Sequence, residues 1–416
     1  MMILSSVTHS TTALLIFDVG LIVLAGLIVG RLAELIKIPD VTGYLIAGLL
    51  LGPIFHVISI ESLHSLQFIP QIALGFIAFQ VGNELWFGKL KKTGAKIAVI
   101  TIVQAVATVV FVILGISLFA EHISIALILG AIAAATAPAP IMMIVKKYRT
   151  KGELTDTLLP VVGLDDAVGV IIFGILLSIS VSLLGAEGEH AATGVWALLE
   201  GPIVEIGLSI LIGTIVGVGT GIAVKTIDRN REREVKNLNV SVIAVLVTTG
   251  LALYYGGSAI LTPMIAGAIV TNMINKDCYE VEEKIISSFV PPMMIAFFVI
   301  AGAELDFSVL LTVGGVGAMY IIGRIIGKVA GSYVGCKVCK SSPNVQKYLG
   351  LSLLPQSGVA IGLSFAAVAA LTSAGFPEYA AVIKNVVLAA VLVFELFGPL
   401  LVKMAFKGSN EIRYEG

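Results

Sequence analysis

Charge is what this chain has least of. Only 13% of its 416 residues are Asp, Glu, Lys or Arg, against about 25% in an average soluble domain. Three cysteines are too few for a disulfide framework. The N-terminus, MMILSSVTHSTTALL, has no basic segment ahead of its apolar one, so no cleavable signal peptide is expected. No polar stretch is long enough to fold as a soluble domain, so no appended regulatory or nucleotide-binding domain is expected either. No nucleophile–base set and no phosphate-binding glycine loop appear, which argues against an enzyme and against any bound cofactor. A net charge of −1 gives no reason to expect nucleic acid or any other charged partner. Apolar residues fill the space: 57% of the chain is hydrophobic and the mean hydropathy is +1.03. This is the composition of an all-α polytopic membrane protein.

Cut at charges and Gly/Pro clusters, the apolar runs give thirteen segments, near 12–36, 41–59, 64–87, 94–120, 123–147, 155–184, 196–226, 236–255, 258–275, 281–304, 307–336, 343–372 and 376–405. A helical span needs about 20 residues, so the second and ninth are short. Basic residues test the count. They fall at Arg31 and Lys37, Lys89 to Lys96, Lys146 to Lys151, Lys225 to Lys236, Lys276 to Lys284, Lys337 to Lys347, and Lys403 to Arg413. Those are alternate connections plus the C-terminal tail. By the positive-inside rule the N-terminus is expected outside and the C-terminus in the cytoplasm, in the cell (inner) membrane.

The chain also repeats at an offset near 220. Ile46-Ala47-Gly48 matches Ile265-Ala266-Gly267, and Gly82-Asn83-Glu84-Leu85 matches Gly302-Ala303-Glu304-Leu305. Gly130 and the break from Thr136 to Pro140 match Gly350 and Pro355-Gln356-Ser357-Gly358. Segments 1–6 (residues 1–195) therefore correspond to segments 8–13 (residues 236–416), joined by a linking helix within 196–235. A shift of seven spans inverts the second copy. Inverted repeats with broken helices at the midplane are a common plan of secondary transporters.

The chemistry gathers between Gly130 and Gly169. Pro138 and Pro140 interrupt segment 5, and Gly358 loosens segment 12. Irregular backbone at membrane depth survives only against protein or water, and the half-helix ends are expected to offer partial charges and free carbonyls to an ion. Proline kinks are the plainer alternative. Asp165 and Asp166 follow, mid-span. Neighbours on a helix point about 100° apart, so the two acids face different surroundings. A carboxylate there is costly unless paired, wetted or protonated, and such a group can exchange a proton for a hard monovalent cation. Arg324 and Lys328 lie one turn apart in segment 11. Gly323, Gly327, Gly331 and Gly335 run beside them, a stripe that permits close helix packing. Lys328 is expected to pair with Asp165, and Arg324 with Glu84 or Glu304. Snorkelling to the surface is the alternative for both cations. Lys384-Asn385 occupies the place of the acids in the second copy, with Asn385 as a neutral ligand or helix glue. Cys336 and Cys339 form a CxxC without two further ligands for zinc. Glu205 and Asp18 are intramembrane acids with a structural or dimer-facing role. His9, His56, His64, His122 and His190 all fall on the outer side and read as solvated loop residues.

ATAPAP before GLDDAVG, the early IPDVTGYLIAGLLLGP, and GRIIGK before a broken LPQSG helix together resemble a monovalent cation/proton antiporter, over nearly the whole chain. The paired Asp resembles the usually electrogenic bacterial and archaeal Na+/H+ exchangers. The electroneutral branch typically has Asn-Asp with a Glu five residues earlier, where this chain has Val161. The resemblance implies that Asp166 is the main ligand for Na+ and alternates between cation and proton. It also implies that Asp165 pairs with Lys328 and that Thr136 supports the ion site, with Pro138, Ser357 and Asn385 around it. It implies a homodimer in which a six-helix core moves against a dimerisation domain, in the service of pH homeostasis. Kef-type K+ relatives usually carry a nucleotide-binding domain not seen here. The reading is Na+ (or Li+) exchange for H+. K+/H+ exchange on the same scaffold is the first alternative, and an organic-anion/Na+ symporter or a channel are more distant ones.

Overall fold

The computed structural model describes residues 11–35, 40–85, 87–185, 195–227, 233–274, 291–305, 314–356 and 358–413. Among them there is no β-strand. In chain order the helices are α1 (Thr11–Leu35), α2 (Asp40–Leu49), α3 (Ile60–Ser65), α4 (Phe68–Glu84), α5 (Phe87–Ile116), α6 (Ile123–Ala133), α7 (Pro138–Tyr148), α8 (Glu153–Gly185), α9 (Val195–Ile227), α10 (Arg233–Tyr255) and α11 (Leu261–Met273). They continue with α12 (Pro291–Ala303), α13 (Gly314–Val338), α14 (Pro343–Ser352), α15 (Gly358–Ser373) and α16 (Pro377–Gly408). Among the described residues, six helical stretches are long and apolar enough to cross a membrane, in α1, α5, α8, α9, α10 and α16. Shorter apolar helices accompany them, including α6 and α15, each one half of an interrupted segment.

Local sequence explains the interruptions. Pro53 has no amide hydrogen, and the turn that contains it, Leu50–Ile54, widens into a π-helix at the end of α2. The chain leaves helix after Ala133 and resumes at Pro138, whose missing donor is harmless at the first helical position. It leaves again after Ser352 and resumes at Gly358. The site-bearing helix α8 is fixed at its start by the far end of the chain. The Glu411 carboxylate accepts hydrogen bonds from the amides of Leu154 (2.7 Å) and Thr155 (2.9 Å) and from the Thr155 hydroxyl (2.7 Å). An anion there satisfies orphan donors and complements the helix dipole.

The helices sort into two bundles by their packing. In one, α2 packs on α1, α4 on α10 and α11, and α9 on α10 and α11; α12 joins it, since Gly48 of α2 meets the backbone of Val299 and Gly302. In the other, α5 packs on α6, α8 and α13, and α14, α15 and α16 close around them. The most extensive seam among the described helices is α5 against α13, and it is close. A Cβ on Gly327 would lie 2.5 Å from Thr108 Cα, and one on Gly331 would lie 2.8 Å from Gln104 Cα. The glycine stripe of segment 11 therefore does bring a neighbour close, and that neighbour is α5.

Backbone atoms cannot rotate away as a side chain can, so Gly327→Val forces α13 off α5. We expect a loss of about 1–3 kcal/mol, the usual cost of overpacking, read as a lower melting temperature in detergent. Gly317→Ala, on the same helix with open space around it, should leave the melting temperature near wild type.

Candidate functional site

The two breaks lie against each other inside the second bundle. The Ala137 amide donates to the Pro355 carbonyl at 2.9 Å, and Gln356 Nε2 donates to the Ile132 carbonyl at 3.1 Å and to the Tyr320 hydroxyl at 2.8 Å. Each break leaves carbonyls at a helix C-terminus, the negative end of its dipole. Arg324 fills that role for both. Its guanidinium donates to the carbonyls of Ala133 (3.0 Å), Ala135 (2.8 Å), Leu354 (2.5 Å) and Pro355 (3.4 Å), and it lies over the Phe394 ring at 4.5 Å. Lys328 adds a bond to the Ala134 carbonyl.

This corrects two expectations. The carbonyls of the broken helices were expected to face an ion; these five are taken by Arg324 and Lys328. Arg324 was expected to pair with Glu84 or Glu304; its partners are backbone carbonyls instead. Glu304 pairs with Lys384 at 3.0 Å, and the Glu84 side chain lies outside what is described. The physical reason is that a guanidinium has five donors in a planar fork, and two adjacent helix ends supply more acceptors than one carboxylate. Neither cation snorkels, since Arg324 and Lys328 are both 0% exposed.

The two acids are treated differently. Asp165 is fully buried and faces α5 and α13. Lys328 Nζ reaches its Oδ2 at 2.8 Å, the Thr136 hydroxyl donates to the same oxygen at 2.5 Å, and Gln104 Nε2 donates to Oδ1. Gln104 also accepts from Lys328 Nζ at 2.9 Å. Asp166 points the other way, as its place on the helix dictates. It lines a cavity of about 290 Å³ between the bundles, with Ile77, Gln80, Thr136, Pro138, Phe298 and Gly358 among its walls. The starts of α7 and α15, the positive ends of their dipoles, border the same space. A carboxylate on a small cavity beside two helix N-termini can hold a small cation or a proton.

Thr136 and Pro138 line the same cavity as Asp166. Ser357 lies outside the described residues, as do His9 and His190. Asn385 is not in this cavity. It lies with Lys384 and Glu304 on a second cavity of about 470 Å³, also lined by Pro53, His56 and His64, and its Nδ2 donates to the Ala381 carbonyl. Glu205 accepts from the Ser178 hydroxyl of α8, and Asp18 is buried. His122 is more than a loop residue, since its ring accepts from the Ser124 amide at the start of α6 at 3.1 Å. Cys336 is buried, and Cys339 donates to the Lys96 carbonyl at 3.5 Å. Among the described residues no group of three or more His, Cys, Asp or Glu gathers as a metal site. Sequence reasoning passed over Gln104 and Glu395. Glu395 is fully buried in α16; a mid-span carboxylate was a legible signal, whereas a lone Gln in an apolar helix was not.

Residues 19–407 match the transmembrane sodium/hydrogen exchanger model. The chain belongs to the sodium/hydrogen exchanger family. Among curated proteins, it is 27% identical over 164 residues to Na(+)/H(+) antiporter 1 of Methanocaldococcus jannaschii, a match covering 38% of each chain. It is 22% identical over 341 residues to the ammonium/H(+) antiporter subunit AmhT of Alkalihalophilus pseudofirmus, covering 81% of this chain and 83% of that one. Its fold is that of the sodium proton antiporter MjNhaP1 from Methanocaldococcus jannaschii. One structure of that protein, at pH 8, aligns with a TM-score of 0.75 at 21% identity over 97% of this chain and 100% of that one. An electron-microscopy structure aligns with a TM-score of 0.71 at 18% identity over 97% and 99%. This exchanger is a multi-pass membrane protein and not an enzyme.

Removing one member of the buried Lys328–Asp165 pair leaves the other charge stranded, at a typical cost of about 3–5 kcal/mol. Lys328→Met and Asp165→Asn should each lower the melting temperature sharply. The double variant should be less destabilised than the sum of the two, and additive losses would show that the pair does not act as one unit.

Proposed function

We propose that the protein exchanges Na+, with Li+ as a close substitute, for H+ across the cell membrane, and that cation and proton compete for Asp166. One observation carries the reading: of the two neighbouring acids, Asp166 lines the cavity between the bundles while Asp165 is held by Lys328, Gln104 and Thr136. An ion binds only a deprotonated Asp166, and an empty charged site crosses oil poorly. Competition at one group then couples the two fluxes. Thr136 and Pro138 shape the site, Ser357 is read as supporting it from the second half, and Lys328 and Arg324 are its fixed cations; Asn385, on the other cavity, is not part of it. No cofactor is required, and Na+ and H+ are substrates.

The protomer is read as thirteen spans in two inverted halves, 1–195 and 236–416, joined by a linking span within 196–235. Packing supports that symmetry. Gly48 meets Gly302, and Gly82 meets Met264 and Ala268 beside Gly267; the offset of about 220 turns the first contact into the second. Alternating access by movement of one bundle against the other is supported by the two cavities. Both lie on the bundle boundary, one reaching Asp166 and the other lined by the Glu304–Lys384 pair that bridges the boundary. By the charge pattern the Asp166 cavity faces the cytoplasm and the other faces outside, with the N-terminus outside, the C-terminus cytoplasmic, and two protomers to the dimer.

A second reading is K+ or ammonium exchange for H+, favoured by the longer match to a relative named as an ammonium/H(+) antiporter. Dye-reported proton flux in proteoliposomes against Na+, Li+, K+ and NH4+ separates the two, with Na+ and Li+ expected to give the largest responses. Asp166→Asn should abolish all exchange while the protein stays folded; retained exchange rejects the assignment. Glu304→Gln, which opens the pair across the boundary, should speed reaction of an outer-cavity cysteine at Ala381 with a membrane-impermeant thiol reagent. An unchanged labelling rate would count against the pair as an outer closure.

A further inference from the structure

We infer that Gln80 is a cation ligand supplied from across the bundle boundary, a residue that closes the site over a small monovalent ion and takes part in choosing its size. This rests on the reading of Asp166 as the exchanging group.

A small cation that sheds its water needs oxygen atoms in its place, and hard cations take oxygen ligands. The carbonyls of the two breaks are the nearest backbone supply. Those of Ala133, Ala134, Ala135, Leu354 and Pro355 already accept from Arg324 and Lys328. Side chains must therefore contribute. Three polar ones line the Asp166 cavity among the described residues: Asp166 and Thr136 from the second bundle, and Gln80 from the first. Thr136 directs its one hydroxyl proton to Asp165, and a hydroxyl oxygen keeps lone pairs when it does so. The Gln80 carboxamide offers a carbonyl oxygen with two lone pairs and no charge.

Gln80 departs from the character of the wall it stands in. The other cavity walls from the first bundle are Val41, Ile77, Val81, Met294 and Phe298, all apolar. Ile77, Gln80 and Val81 follow helical spacing along one side of α4, and Ile77 and Val81 belong to the main core. Other contacts fix the rotation of the helix. Phe76 and Phe79 share a buried cluster with Val245, Ala266 and Val270, and Gly82 meets the backbone of Met264 and Ala268 on α11. α4 is thus anchored in its own bundle while it packs on α8 and α15 across the boundary. A half-buried carboxamide on such a wall costs free energy unless the space beside it supplies a partner. A cation held at Asp166 is that partner.

An ion bound by Asp166 and Thr136 on one body and by Gln80 on the other ties the two together. A ligand shifts an equilibrium only by its differential affinity for the two states. Gln80 supplies such a difference, because its oxygen reaches the ion only while the seam is closed at this level. The spacing of the three oxygens sets which ion radius fits, so the same residue serves selection as well as binding. A proton on Asp166 needs no third ligand, and the protonated carrier is free of the tie.

The test uses the full chain reconstituted in liposomes, with proton flux driven by Na+, Li+, K+ or NH4+ at one fixed pH and read as apparent KM and maximal rate for each cation transported. Gln80→Met keeps the length and removes the oxygen. It should raise the apparent KM for the preferred cation about tenfold, the low end for one polar contact to a charge, and shrink the KM ratio between preferred and poorer cations. Gln80→Asn draws the same carbonyl back by one methylene and should move the ratio toward the larger ions. If the Met variant does not fold, the Asn variant decides. KM ratios at wild-type values in the folded variants, with only a lower maximal rate, would reduce Gln80 to packing and overturn the proposal. Wild-type exchange in Asp166→Asn would instead overturn the reading beneath it.

Discussion

The structure depends on two cations placed where two helices stop. Ending a helix inside a membrane protein exposes carbonyls that no solvent can satisfy, and two such ends meet near Ala137 and Pro355. Without a donor-rich cation between them the crossing would be a cluster of like partial charges. Arg324 and Lys328, both at 0% exposure, instead bond five of those carbonyls. Their own charges are supported in turn by helix ends, by Asp165 and by the Phe394 ring. Each component would be costly alone; together they make an interrupted backbone tenable.

That arrangement divides the labour between neighbouring acids. Helical geometry sends Asp165 and Asp166 to different sides of α8. Asp165 completes the cation cluster and is saturated by donors from three elements. Asp166 borders the cavity at the edge of the same cluster. A residue whose oxygens are already engaged exchanges ligands slowly, whereas one on a cavity meets whatever enters it.

Much of this was legible in the sequence. Prolines at 138 and 140 and the glycine at 358 marked the breaks, because each removes or weakens a ladder hydrogen bond. The adjacent acids and the Arg324–Lys328 turn stood out against a chain with few charges. Partner choice was less legible. Charge suggested an acid for Arg324, but the deciding quantity was the number of carbonyls that the breaks would expose, which depends on how two distant segments cross. Gln104 escaped notice because a single amide in an apolar helix has no pattern until its neighbours are known. Glu411 escaped because nothing local links the chain end to the start of α8, 257 residues away.

The contacts at the boundary carry the last step. The second bundle holds the charge cluster internally, tied by hydrogen bonds among α5, α6, α8, α13 and the two breaks, so it resists being pulled apart. The first bundle is stitched by glycine contacts, as between α2 and α12 and between α4 and α11. Between the bundles the described polar ties are sparse: Glu304 with Lys384 near the larger cavity, and Ser178 with Glu205 where α8 meets α9. Strong cohesion within each body and few directional bonds across the seam is the condition for rigid-body motion rather than local unfolding. A carboxylate carried on the rigid side of that seam, and facing it, can change its exposure without losing the geometry that tunes it.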